Sequence, residues 1–133
     1  MKYNQRHLKG EFILKKSCDF KVFEDPRGKL TTFNSIEPMN VKRFYLIEPE
    51  VSFWRGKHYH KVSTQLISVL SGKLKCSVFW KDSPEESNEF LMLPGDTYLQ
   101  SPGLTFTFCS VEENTKLLVM CDTEFDSSDY YEV

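Results

Sequence analysis

An all-β fold, either a sandwich or a jelly-roll barrel, is what the sequence predicts, and three observations carry that reading. After residue 10 the chain alternates apolar and polar residues with a period near two. β-Branched and aromatic residues fill the alternating segments, and turn-forming residues punctuate them at short intervals. No segment has the spacing of a convincing amphipathic helix. So many short strands in so little chain must stack as two sheets or close into a barrel, because otherwise long edges are left unpaired.

The elements follow in order. Glu11–Leu14 is a first short strand. Phe20–Phe23 and Leu30–Phe33 flank Asp25-Pro26-Arg27-Gly28, a turn by its chemistry. Val41–Ile47 alternates, which puts Arg43 and Tyr45 on one face. Phe53–His60 is read as a single strand. Gln65–Leu70 runs into Ser71-Gly72 and returns as Leu74–Trp80, where Leu74, Cys76, Val78 and Trp80 share a buried face while Lys73, Lys75 and Ser77 share a wet one. Phe90–Leu93 follows the turn Lys81-Asp82-Ser83-Pro84, Thr97–Gln100 follows Pro94-Gly95-Asp96, and Leu104–Cys109 follows Ser101-Pro102-Gly103. Lys116–Cys121 is the last strand. The acidic tail beyond it carries Asp129-Tyr130-Tyr131 and either hangs free or docks against the barrel.

A chain of 133 residues has room for one hydrophobic core, so 1–133 is expected to be a single domain. With 40% hydrophobic residues, including 11 Phe, it can offset the entropy of ordering the chain. The 17 basic and 19 acidic residues are interspersed, which leaves no electrostatic footprint for nucleic acid. An anionic partner must be held by a local cluster. Cys18, Cys76, Cys109 and Cys121 form no CxxC pair, and they read as core thiols in a reducing compartment. The polar N-terminus, with His7, precedes no apolar signal region, and no apolar run is long enough for a membrane helix. The expected location is the cytoplasm.

The chemically loaded stretch is Arg55-Gly56-Lys57-His58-Tyr59-His60-Lys61-Val62-Ser63-Thr64-Gln65. Residues two apart on a strand face the same way, so His58 and His60 present both imidazoles to one side. Spacing alone leaves two readings open: a pair that serves one ligand, or a pair on a solvated strand face.

The spacing resembles the first cupin motif, with Gln65 standing where that motif has a carboxylate and Gly72 at its closing glycine. The second cupin motif is echoed by Pro94-Gly95-Asp96 and Pro102-Gly103, with Phe106 where a third metal-binding histidine is expected. Two histidines and a neutral amide bind a divalent metal poorly, so no resident metal is expected. The imidazoles are suited instead to proton transfer near neutral pH.

Further segments sharpen the resemblance: Phe23-Glu24-Asp25-Pro26-Arg27-Gly28-Lys29-Leu30, then Val41-Lys42-Arg43-Phe44-Tyr45-Leu46-Ile47, then the histidine stretch with Gln65, and finally Asp129-Tyr130. In that order and spacing the chain resembles the nucleotide-sugar 3,4-ketoisomerases, WxcM-like cupins that act on dTDP-4-keto-6-deoxyglucose in deoxysugar biosynthesis. The resemblance implies a small cupin-type jelly-roll barrel of the RmlC-like kind, a dTDP-linked ketosugar as partner, and isomerisation through an enediol without a cofactor. It makes His58 and His60 the proton-transfer pair. Arg43 and Tyr45 would line the same cavity, where a cation stabilises an enediolate oxygen, and Gln65 would fix an imidazole tautomer or hold a sugar hydroxyl.

Arg55 and Arg27 are the candidates for the diphosphate, since a guanidinium fork matches phosphate oxygens. Arg55 has the wrong parity to share the histidine face, and a bulge at Gly56 would repair this. Arg27 reads equally well as an ordinary turn residue, and Lys61 as a surface charge. Where the family usually has tryptophan-histidine, this chain has Thr105-Phe106-Thr107-Phe108. That departure bears on the C4 stereochemistry, the sugar, or catalysis itself.

Three readings follow: the isomerase, with 3,5-epimerisation as its enzymatic neighbour; a non-catalytic cupin module that binds a sugar or its nucleotide; and a metal-dependent cupin such as a dioxygenase. A homodimer formed through edge strands is expected, which would carry Arg27 toward a neighbour's site.

Overall fold

The structure is a computed structural model that describes residues 19–34 and 39–133. The strand expected at Glu11–Leu14, together with His7 and Cys18, lies outside the described residues. The strands are β1 (Asp19–Asp25), β2 (Gly28–Asn34), β3 (Arg43–Ile47), β4 (Trp54–Arg55), β5 (His58–Tyr59), β6 (Gln65–Ser71), β7 (Leu74–Trp80), β8 (Asn88–Met92), β9 (Thr97–Gln100), β10 (Leu104–Ser110), β11 (Lys116–Cys121) and β12 (Tyr131–Glu132). A 3₁₀ turn, Ser127–Asp129, precedes β12. No helix among the described residues is long and apolar enough to cross a membrane.

Two four-stranded antiparallel sheets, ordered β4-β10-β7-β8 and β3-β11-β6-β9, make the body of the fold. No ladder joins them among the described residues, so the jelly roll is a sandwich rather than a closed barrel. Alternation explains the core between them. Leu74, Cys76 and Val78 of β7, Phe90 and Met92 of β8, Phe106 and Phe108 of β10, Ile67 and Val69 of β6, and Leu117 and Val119 of β11 pack as one buried cluster. The face assignment within Leu74–Trp80 holds, with Leu74, Cys76 and Val78 fully buried and Lys75 exposed. Cys76, Cys109 and Cys121 are free and buried.

Strand β3 reverses the usual order of inside and outside. Its half-buried positions are Arg43, Tyr45 and Ile47, while Phe44 and Leu46 face outward and are 71% and 57% exposed. The inward side of this edge strand carries the polar Arg43 and Tyr45, with Ile47 packed against the core. The expected face sharing of Arg43 and Tyr45 is therefore what the strand does.

The single strand expected over Phe53–His60 is two strands. Trp54 and Arg55 pair with Cys109 and Phe108 of β10, whereas His58 and Tyr59 pair with Glu132 and Tyr131 of β12. Gly56 makes the break, with φ +96°, in the left-handed region that favours glycine. A Cβ there would fall on the Phe106 carbonyl oxygen, which is backbone and cannot swing away. Gly56→Ala is expected to cost about 2–4 kcal/mol from combined backbone strain and overlap. Chemical denaturation beside the wild type checks it.

The acidic tail docks. Its strand β12 pairs with β5, Tyr131 stacks on Tyr59 with centroids 5.4 Å apart, and the Lys61 ammonium sits 4.3 Å from the Tyr131 ring centroid. The hold is strongest at Asp129, a buried carboxylate. One oxygen accepts from the backbone N–H of Lys61 at 2.8 Å, and the other accepts from Ser63 at 2.9 Å. The Val62 N–H lies between them, at 3.1 and 3.3 Å. Burial works to raise this carboxyl, but the backbone N–H donors outweigh it and keep it below its ordinary range.

Candidate active site

Between the sheets, at the end where β3, β4 and β5 meet the tail, lies a cavity of about 400 Å³. Arg43, Tyr45, Arg55, His58 and Gln65 line it, together with Gln100 and Tyr130. An apolar floor of Ile67, Phe106, Phe108, Leu117 and Val119 closes it toward the core. This is the usual form of a small-molecule site: an apolar bowl with a few converging polar groups.

Five of the residues expected from sequence thus meet here. Arg55 reaches the cavity despite its parity because the break at Gly56 resets the alternation between it and His58. Gln65 is buried beside the Tyr45 side chain, whose hydroxyl pKa it works to lower. Burial pushes the Tyr45 hydroxyl up to about 12, against the pull of the neighbouring Arg43. The Arg43 guanidinium lies 4.7 Å from the Tyr45 ring centroid and 5.1 Å from that of Phe125, a cation held between aromatic faces.

The two histidines do not share one exposure, as the single-strand reading required. His58 borders the cavity, and His60 lies behind it, 3% exposed and outside the cavity lining. Their rings meet edge to face at 5.2 Å. His60 Nδ1 is 2.8 Å from the backbone carbonyl oxygen of Asp129. A carbonyl only accepts, so Nδ1 carries the proton and Nε2 keeps the lone pair, buried and without a hydrogen-bond partner among the described residues. The tail, not Gln65, sets this tautomer.

Burial lowers the pKa of both imidazoles. His60 adds to the effect on His58, and the Asp129 backbone and carboxylate oppose it at His60 without cancelling it. Both rings are therefore neutral at neutral pH. The stability consequence has one sign: an unfolded histidine takes up a proton near pH ~6.5, before the folded one does. Stability is complete above that pH and falls as the pH drops through the lower folded values. We expect the melting temperature to decline between pH 7.5 and 5, with a shallower decline in His60→Asn, by scanning calorimetry.

Arg27 is not brought to the cavity. It sits at the tip of the β1–β2 hairpin with its side chain 90% exposed, and it bonds Asp25 through both its backbone N–H and its guanidinium. Within one chain it is a turn residue. Phe106 stacks on Tyr98 at 4.8 Å, so the wall where the family's histidine is expected is aromatic and carries no proton. Among the described residues no three His, Cys, Asp or Glu side chains gather as a metal-binding group.

Sequence reasoning gave no role to Gln100, Asp129 or Tyr130. Asp129-Tyr130 was visible as a motif, but its value depends on a contact 69 residues back along the chain. Nothing local signals that.

The architecture and the inward-facing cavity define a jelly-roll cupin. The family described as FdtA, WxcM-like, C-terminal matches residues 15–132, and the chain belongs to that family, one of nucleotide-sugar 3,4-ketoisomerase-like proteins. Similar solved structures agree. The 3,4-ketoisomerase QdtA from Thermoanaerobacterium thermosaccharolyticum, as a histidine-to-asparagine variant with TDP-4-keto-6-deoxyglucose, is 26% identical over 85% of this chain and 83% of its own, with a TM-score of 0.71. The TDP-quinovose 3,4-ketoisomerase WlaRB from Campylobacter jejuni is 23% identical over 90% and 95%, with a TM-score of 0.67. NovW, a 4-keto-6-deoxy sugar epimerase from Streptomyces spheroides, is 16% identical over 100% and 73%, with a TM-score of 0.74. The last two show the shared fold. No curated protein sequence matches the chain.

Proposed function

We propose that the protein modifies a TDP-linked ketosugar, and specifically that it interconverts a 4-keto-6-deoxy sugar and its 3-keto isomer without a cofactor. The observation that carries the reading is His58: a neutral imidazole at the wall of a cavity that also holds the cations Arg43 and Arg55. The family and the similarity to QdtA with its bound TDP-ketosugar support the choice of substrate.

The chemistry follows from the geometry. The C4 carbonyl acidifies the C3 hydrogen, and His58 removes that proton as general base. The C3–H electron pair becomes the C3=C4 bond of an enediolate, whose charge on O4 is met by Arg43. Return of the proton from His58 to C4, with the O3 proton passing to O4, leaves the ketone at C3 and a hydroxyl at C4. His60 acts on His58 from behind as a positioning residue. Arg55, exposed and at the cavity lining, is the proposed partner of the diphosphate. With Phe106 opposite, one histidine serves both carbons.

The test is incubation with TDP-4-keto-6-deoxyglucose in deuterated buffer, followed by proton NMR. A new 3-ketosugar with deuterium at C4 is the expected result. Exchange at C3 and C5 without carbonyl migration would make the protein an epimerase, and a bound sugar with no exchange would make it a binding module.

The working unit is proposed to be a homodimer. Among the described residues β1 and β2 pair only with each other, with Val22, Phe23 and Leu30 exposed, and an isolated hairpin is marginal alone. The outward Phe44 and Leu46 of edge strand β3 add apolar surface that a second copy would cover. Light scattering is expected to give twice the 15.6 kDa chain mass, and a monomer would refute the assignment.

A further inference from the structure

The tail does more than close the fold, because it carries Tyr130 into the cavity wall. The Tyr130 ring lies 4.9 Å from that of His58 and 4.7 Å from that of His60, and its hydroxyl neighbours the Arg43 guanidinium, which it helps hold charged. Arginine has only donors, so toward Arg43 the phenolic oxygen can act only as an acceptor. That leaves the Tyr130 O–H proton uncommitted beside the imidazole assigned as base. Tyr45, the other phenol at the cavity, is pushed by burial up to about 12.

Resting on the isomerase reading above, we propose that Tyr130 is a second catalytic residue, one that moves the hydroxyl proton of the sugar between O3 and O4 while His58 moves the carbon-bound proton. As His58 takes the C3 proton and the C3=C4 bond forms, Tyr130 gives its proton to O4. Arg43 then stabilises the phenolate. When His58 returns its proton to C4, the O3–H proton passes to Tyr130, the C3=O bond forms, and the phenol is restored. Atoms and charge balance over the cycle, and no co-reactant is needed. The aromatic wall at Phe106 offers no competing donor on that side. A segment distant in sequence thereby makes the site complete only when the tail is docked.

Tyr130→Phe tests this, since it keeps the ring contacts and removes only the hydroxyl. With TDP-4-keto-6-deoxyglucose we expect kcat to fall about 10²-fold while KM stays within about twofold. A wild-type sample with tyrosines labelled at Cζ supplies an independent readout: the resonance missing from the variant should shift when the sugar nucleotide binds. A Tyr130→Phe enzyme as fast as the wild type, or a Cζ signal unmoved in the bound state, would overturn the role given to Tyr130 and leave the isomerase reading intact. A wild-type protein that binds the sugar nucleotide without turnover would overturn both.

Discussion

His58→Asn is expected to abolish ketosugar isomerisation, lowering kcat by about 10³-fold or more while leaving the fold and nucleotide binding in place. His58 is the histidine that borders the cavity, so its loss removes the proton acceptor itself. Asparagine fills similar space and cannot take a proton from carbon. His60→Asn should cost less, about 10-fold to 10²-fold, because His60 acts through its edge contact with His58 and its bond to the tail. Steady-state rates and circular dichroism on both variants decide the matter. An active His58→Asn beside an inactive His60→Asn would place the reacting group behind the cavity wall and refute the assignment.

Asp129→Ala is expected to have the largest effect on stability among tail substitutions, about 2–4 kcal/mol. The carboxylate is the acceptor for the backbone N–H groups of Lys61, Val62 and the buried Ser63, and removing it leaves all three without their charged partner. Asp129→Asn keeps one acceptor oxygen and should lose about half as much. Activity should fall with the alanine change as well, by about 10²-fold, because an undocked tail withdraws the Asp129 carbonyl from His60 and Tyr130 from the cavity. Denaturant unfolding measures the first effect, steady-state rates measure the second, and hydrogen exchange at the amides of 61–63 reports the undocking. Unchanged exchange there would show that the loop holds its shape without the tail.

These two residues illustrate different kinds of legibility. The strands between Gln65 and Cys121 could be read closely, since Thr97–Gln100 and Lys116–Cys121 have the expected bounds and only the one expected at Phe90–Leu93 starts two residues earlier. Their alternation and their turns are local properties, and burial between two sheets rewards both. The pairing of Arg43 with Tyr45 on one face was readable for the same reason. The continuous strand over Phe53–His60 was not sound, because one glycine at positive φ turned it into two strands paired with different partners. Periodicity carries no information about a backbone carbonyl from β10 waiting at Gly56.

By itself, then, the sequence determined an all-β cupin-type fold, left open between sandwich and barrel, the family, and most of the polar residues that line the cavity. Their types and spacing are written into short segments, and alternation on strands translates spacing into faces. Only the tertiary structure decided which histidine meets the cavity, which tautomer its neighbour holds, and that Arg27 stays out of the cavity within its own chain. It also decided that the C-terminal tail belongs to the site. Those outcomes depend on contacts between segments tens of residues apart, where a single backbone carbonyl or carboxylate selects among arrangements that local sequence leaves equivalent.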